Sequence, residues 1–138
     1  MTNVSSFTTD LIVRVTSRQV RGRTIFVIEK PFQYAVGSLE NPTEIINIER
    51  GYETDFVSIP MCARLFINNV HRSKAAVVHD FLLSEIDAGR SPRTAKEADR
   101  ILREALRILG ANVIERNLYY YSVRMTSMLK QLLGCKLA

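Results

Sequence analysis

The sequence predicts an α+β domain, with an N-terminal antiparallel sheet of about four strands followed by three to four helices packed on one face of it. Apolar and polar residues alternate with a period of two in the first third of the chain. In the remainder, apolar residues recur at three- and four-residue spacing. The early apolar runs are joined by connections too short for the crossover that parallel strands need, which favours antiparallel pairing.

The predicted strands are short and bounded by turn residues. The polar stretch 18–23 contains Gly22 and predicts a hairpin loop between the first two strands. Pro31 precedes the third strand, where a missing N–H does least harm, and Asn41-Pro42 separates it from the fourth. The four predicted strands are residues 11–16, 24–29, 32–36 and 43–48.

The predicted helices begin with a short one at about 60–67, where Ser58 can cap and Pro60 fits the first turn. The second covers about 72–87. Thr94 and Glu97 have capping-box spacing and start a third, which ends at Gly110. The last helix begins at Asn112 and continues to about Leu133. Its predicted core side consists of Ile114, Leu118, Tyr121, Met125, Met128 and Leu132.

Length and composition indicate one domain over residues 1–138, with strands at about 7–50, a strand-to-helix loop at 51–60 and helices at about 60–133. No apolar run is long enough to span a membrane, and the polar first residues do not resemble a secretory signal. The cysteines, Cys62 and Cys135, are too few for a disulfide framework or a four-cysteine zinc site. We therefore expect synthesis in a reducing cytoplasm.

The net charge of +5 permits binding to phosphate or acidic surfaces without establishing it. The 19 basic and 14 acidic residues are spread along the chain, with no Lys/Arg run and no basic residues interleaved with aromatics. Most arginines are expected to form an ordinary solvated surface. Nucleic acid is therefore a weakly supported partner.

The loop at 51–60 is the first stretch that breaks the surrounding pattern. Thr54 and Asp55 lie just before the predicted helix start at Ser58, so their oxygens could bind backbone N–H groups there. Alternatively, Asp55 and Ser58 could face a pocket from a loop between rigid elements. Both interpretations remain open.

His79-Asp80 is the second such stretch, inside the second predicted helix. His79 lies on the apolar face, where an imidazole must form a hydrogen bond or destabilise the fold by about 1–3 kcal/mol. Asp99, at the border of the apolar face of the third helix, is a plausible neighbour. His79 is then either a satisfied core residue or a member of a functional site.

Two kinds of chemistry fit these residues. His79, Asp80, Asp99 and Asp55 could surround one divalent metal ion that activates water. Alternatively, a carboxylate could orient His79 as a base toward the Ser58 hydroxyl. The catalytic candidates are accordingly His79, Asp80 and Ser58.

The run Tyr119-Tyr120-Tyr121 cannot face one side of a helix, because successive residues are about 100° apart. Tyr121 is expected in the core, with Tyr119 or Tyr120 exposed. A partner-binding face would then include Tyr119, Tyr120, Arg124 and Lys130. The alternative is a terminal helix docked on the sheet with a basic outer face.

Three motifs together resemble a family of small phage and prophage proteins, domain of unknown function 1353. The resemblance covers roughly residues 30–125 and implies a bacteriophage origin but no reaction. It carries over Thr54, Asp55, Ser58, His79, Asp80 and Asp99 as motif positions. The sequence departs from the family at residues 61–64 and at Leu83, where a tyrosine is common. The motifs are residues 51–60 (GYETDFVSIP), 75–83 (AAVVHDFLL) and 98–100 (ADR).

Two functions are therefore expected from different classes. The first is a small phage structural or assembly accessory protein that docks with other phage proteins in a virion or assembly complex. In it, the Thr-Asp and His-Asp motifs would form one buried polar network. The protein would be made in the host bacterial cytoplasm and could be incorporated in the virion. The second is a metal-dependent hydrolase with one divalent ion at His79, Asp80, Asp99 and Asp55.

Overall fold

The computed structural model describes residues 7–37, 43–55 and 72–133. The chain divides into two compact units, Met1–Phe56 and Val57–Ala138, and each is described by itself. Strands occupy the first and helices the second, which confirms the predicted α+β class. The predicted helix at 60–67 and the candidate Ser58 lie outside the described residues.

The strand unit contains the four predicted strands and one short addition, all paired antiparallel. They form a three-stranded sheet in the order β1-β2-β5 and a two-stranded sheet of β3 and β4. Buried side chains from both sheets include Ile28, Phe32, Tyr34 and Ile48. The strands are β1 (Val13–Val20), β2 (Arg23–Ile28), β3 (Phe32–Val36), β4 (Glu44–Ile48) and β5 (Glu53–Thr54).

The first hairpin is tighter than the sequence predicts, because β1 extends through most of the predicted loop. Only Arg21 and Gly22 form the turn, with φ values of +53° and +76°. Two consecutive positive φ angles are typical of the two-residue turn whose twist matches the flanking strands. Polar residues of this stretch therefore pair in the ladder as far as Val20 with Arg23.

Phe7 anchors the start of the described chain on the second sheet. It forms an isolated β-bridge with Tyr34, and its ring lies 4.7 Å from that of Tyr34 and 5.5 Å from that of Phe32, between centroids. All three side chains are buried. Contacts within the chain thus hold this segment.

The described residues of the helical unit form α1 (Ser73–Asp87), α2 (Ala95–Ile108) and α3 (Val113–Leu132), and α2 packs against both of the others. In the described part of the chain, no helix combines the length and apolar character that a bilayer span requires. The core of this unit is built from small and aliphatic residues of α1 and α2 and from part of α3. Its buried members include Ala75, Val78, Leu82, Ala98, Leu102, Ala105, Leu106, Tyr119 and Val123.

The helix ends follow the sequence signals. Thr94 forms the predicted capping box with Glu97, and the Asn112 side chain accepts a hydrogen bond from the Glu115 N–H. Gly110 follows α2 with a φ of +94°, the left-handed conformation that favours glycine after a helix. These caps fix where α2 begins and where α3 begins.

Replacing Thr94 by alanine should lower the free energy of unfolding by about 1 kcal/mol, because the two hydrogen bonds between its hydroxyl and Glu97 are lost. Urea unfolding followed by circular dichroism measures the change. Thr126→Ala in α3 is the matched control, since that exposed hydroxyl bonds only the Ser122 carbonyl of its own helix. Equal stabilities of the two variants would contradict the role of the cap.

The orientation of α3 differs from the prediction. Tyr121 is 62% exposed and Met125 64% exposed, whereas Tyr119 and Tyr120 are buried. The prediction of Tyr121 in the core, with Tyr119 or Tyr120 outside, is therefore wrong. Apolar residues lie on both sides of this helix, so hydropathy alone does not select the inward side. The buried Asp99 on α2 selects the inward side of α3. Arg124 lies next to the Tyr119–Val123 side, and from there it binds the Asp99 carboxylate.

Candidate functional site

A buried charged network joins the three helices. His79 on α1 and Asp99 on α2 are fully buried, and their Nε2 and Oδ1 atoms lie 2.6 Å apart. Arg124 on α3 donates from a guanidinium nitrogen to Asp99 Oδ2 at 2.9 Å. The Ser127 hydroxyl lies 3.5 Å from the same oxygen. Asp99 is thus the centre of the network.

The local sequence explains why His79 and Asp99 are buried at the contact between their helices. His79 follows Ala75 by one turn and precedes Leu82 by three residues, so it shares the buried face of α1. Asp99 follows Ala98 in the first turns of α2, next to the buried face. The apolar surroundings make an unpaired carboxylate costly, and they explain why both of its oxygens are bound.

The contact with Asp99 identifies which ring nitrogen of His79 donates a hydrogen bond. A carboxylate only accepts hydrogen bonds, so His79 Nε2 carries the proton in its contact with Asp99. Arg124 already matches the negative charge of Asp99, so a neutral imidazole leaves the cluster without net charge. In that tautomer Nδ1 is an acceptor. Within residues 7–37, 43–55 and 72–133, no group forms a hydrogen bond with it.

The other predicted site residues do not join this cluster in the described contacts. Thr54 is buried in β5, where it pairs with Phe26 of β2. Asp55 is partly buried, and its Oδ2 lies 3.9 Å from Arg23 in the same unit. Asp80 is half-buried on α1 and is not without an interaction partner. A common network of Thr54, Asp55 and His79 therefore stays a prediction.

The donor set around Asp99 suits a structural network better than a metal centre. Both carboxylate oxygens are bound, one by an imidazole N–H and one by a cationic guanidinium. A divalent ion there would have to displace Arg124. Over the described ranges, no three His, Cys, Asp or Glu side chains are grouped so as to hold a metal. The four-residue metal site stays a prediction that these contacts do not support.

The predicted partner-binding residues lie mostly on the inner side of α3. Tyr119 and Tyr120 are buried, with the Arg103 guanidinium 4.0 Å above the Tyr120 ring. Arg124 belongs to the network, and Lys130 is exposed. A partner-binding face made of these four residues stays a prediction, to which the burial of its two tyrosines gives no support.

Two arginines with structural roles were not predicted. Arg124 could have been found from the border position of Asp99, because a buried carboxylate calls for a cation on a neighbouring helix. Arg72 precedes α1 and donates to the Leu109 carbonyl at 3.2 Å and to the Glu115 carboxylate at 3.1 Å. It thereby connects the start of α1 with the turn between α2 and α3. No sequence signal identifies this second contact.

A cleft of about 380 Å³ lies beside the network, within the helical unit. Ser127 belongs to both, since it lines the cleft and contacts Asp99. The remaining lining residues come from the end of α1, the start of α2 and the end of α3. They are Leu83, Ile86, Asp87, Thr94, Ala95, Lys130 and Gln131.

Comparison with known proteins gives one match. Residues 26–123, well over half of the chain, match the family model described as "Protein of unknown function (DUF1353)". The match includes His79, Asp99 and the helical unit as far as Val123. No curated protein and no solved structure matches the chain.

Proposed function

The chain belongs to the DUF1353 family, and from that premise we propose that it is a small phage-encoded accessory protein that docks in a virion or assembly complex. Its partners would be other phage proteins. It would be made in the cytoplasm of the host bacterium and then join the assembly. The resemblance of the three motifs is what supports the proposed phage origin.

One observation carries this proposal, the exposed apolar side of α3. We call it the α3 stripe, and it includes side chains between 53% and 79% exposed. Contiguous exposed apolar patches mark interaction sites, and methionine and tyrosine are enriched in protein interfaces. The α3 stripe consists of Ile114, Tyr121, Met125, Met128, Leu129, Leu132 and Leu133.

The buried network supports the same function by holding the stripe in place. Arg124 is on α3, and its bond to Asp99 fixes the rotation of that helix against α2. Arg72 and Glu115 add a second connection at the N-terminal end of α3. A helix held at two points presents its outer side as a rigid surface, which lowers the entropy lost on docking.

The proposal is tested by deleting the gene from the phage that carries it and supplying variants in trans. Met125→Glu places a charge in the stripe, and Thr126→Glu places the same charge on the next residue, which is exposed but not apolar. We expect wild type and Thr126→Glu to restore the particle yield and Met125→Glu to restore less than a tenth of it. Unchanged yield after deletion, or full restoration by Met125→Glu, would overturn the docking function.

Hydrolysis is the second candidate, and the Nδ1 atom of His79 is the observation that favours it. An imidazole whose other nitrogen is held by a carboxylate is oriented as a general base. Its Nδ1 has no partner among the described side chains and could accept a proton from water or from the Ser58 hydroxyl. In the metal-dependent form, Asp80 and Asp55 would supply ligands. The full burial of His79 makes this the weaker candidate.

A further inference from the structure

Six apolar positions along one side of α3, five of them members of the α3 stripe, form a series with the spacing of a coiled-coil seam. Its successive positions differ by four, three, four, three and four residues, the heptad pattern in which one side of a helix faces another helix. Leu118 is half-buried, and the other members are exposed. Val123 is buried on the opposite side of α3, so the seam faces away from the helical core. The seam positions are Ile114, Leu118, Tyr121, Met125, Met128 and Leu132.

We propose that the occupant of this seam is the α3 helix of a second copy of the chain, packed antiparallel about a twofold axis near Val123. This inference rests on the proposed docking function, in which the α3 stripe is an interaction surface, and assigns that surface to self-association. In this arrangement Tyr121 faces Met125 of the other copy at the centre. Leu118 then faces Met128, and Ile114 faces Leu132. Every seam residue therefore contacts another seam residue, as a self-complementary twofold interface requires.

The charges beside the seam are compatible with self-association. The flanking positions Asn117, Ser122 and Gln131 are uncharged, so none of them repels its counterpart in a second copy. The two charged flanking residues already have partners within the chain. Glu115 binds Arg72, and Arg124 binds Asp99. A seam with few charges at its edges does not select a strongly charged partner, and it permits a copy of itself.

The size of the seam defines the expected affinity. From Ile114 to Leu132 the helix extends about 27 Å, at 1.5 Å per residue. One helix on each side covers less than the roughly 800 Å² per partner of a standard stable interface. We therefore expect a weak, reversible dimer with a dissociation constant on the order of micromolar. Leu129 and Leu133 lie beside the seam and add apolar area at one end.

Sedimentation velocity of the full chain, from micromolar to near-millimolar concentration, tests the inference. We expect wild type to shift from monomer to dimer over this range. Met125→Glu brings two carboxylates near the twofold axis and should weaken the dimer at least tenfold. Thr126→Glu carries the same charge outside the seam and should behave as wild type.

A charge-pair experiment tests the antiparallel register. Ile114→Glu and Leu132→Lys should each weaken the dimer, because each leaves a charge opposite an apolar residue. The double variant should regain dimerisation, since antiparallel packing places each glutamate opposite a lysine of the other copy. Parallel packing would place like charges together, and a double variant weaker than either single one would overturn the register.

The outcomes separate this inference from the docking function. A wild-type chain that stays monomeric overturns the dimer, whereas the docking function survives if Met125→Glu still fails to restore phage particles. A monomer whose melting temperature falls in Met125→Glu but not in Thr126→Glu would show that the stripe packs within its own chain. That result would overturn both proposals.

Discussion

Replacing Asp99 by alanine is expected to lower the free energy of unfolding by about 3–5 kcal/mol, because it leaves a largely buried cation without its partner. Arg124 has a side-chain exposure of 17% and donates to Asp99 Oδ2. The substitution also removes the acceptor of the His79 Nε2 proton. Urea unfolding followed by circular dichroism measures the loss.

Asp87→Ala is the matched control, since Asp87 is exposed at the end of α1. Its effect should stay within about 0.5 kcal/mol. A double-mutant cycle with Arg124→Met isolates the contact between the two charged groups. If Asp99→Ala destabilises no more than Asp87→Ala, the network does not hold the helices together.

Replacing His79 by alanine has the second largest expected effect, a loss of about 2–4 kcal/mol. The imidazole is fully buried among residues of the α1 core, so its removal leaves a cavity. It also removes a hydrogen bond from Asp99 Oδ1. Thermal and urea unfolding both report this change.

His79→Gln distinguishes a structural role from a catalytic one. The glutamine amide can donate to Asp99 but cannot act as a base. Under a structural role it should recover about half of the stability lost in His79→Ala and leave docking unchanged. A well-folded His79→Gln protein that loses a measurable hydrolytic activity of the wild type would contradict that role.

Short-range signals in the sequence were sufficient for most of the fold. Alternation predicted the first four strands, and the Thr94–Glu97 and Asn112–Glu115 spacings predicted where α2 and α3 begin. The first hairpin was less predictable. Its tight turn at Arg21-Gly22 depends on backbone angles, and the polar residues around it read as a loop.

The inward side of α3 could not be derived from hydropathy. Tyr121 and Met125 are as apolar as Tyr119 and Val123, yet only the latter pair is buried. A single polar requirement decides between the two sides, because Asp99 needs a cation and Arg124 can supply it from one side only. The inward side of such a helix depends on contacts with other helices, and the periodicity of its own sequence carries no information about those contacts.

The candidate site was only partly predictable for the same reason. A buried imidazole needs a hydrogen-bond partner, and this requirement predicted Asp99 as the neighbour of His79. In the structure, His79 Nε2 and Asp99 Oδ1 lie 2.6 Å apart. The predicted network of Asp55 and Thr54 with His79 rested only on two unexplained polar motifs that lie far apart in the chain. Their described contacts are with Arg23 and Phe26 in the strand unit.

Calorimetric titration of Zn²⁺, Mn²⁺ and Ca²⁺ into wild type and His79→Ala, alongside thermal melts of both, tests the structural role of the network most directly. We predict that neither protein binds these ions and that the variant melts several degrees lower, at about 3 °C for each kcal/mol lost. Tight binding by wild type that disappears in a still-folded variant would contradict this account. His79 would then belong to a metal site, and the hydrolase would become the leading function.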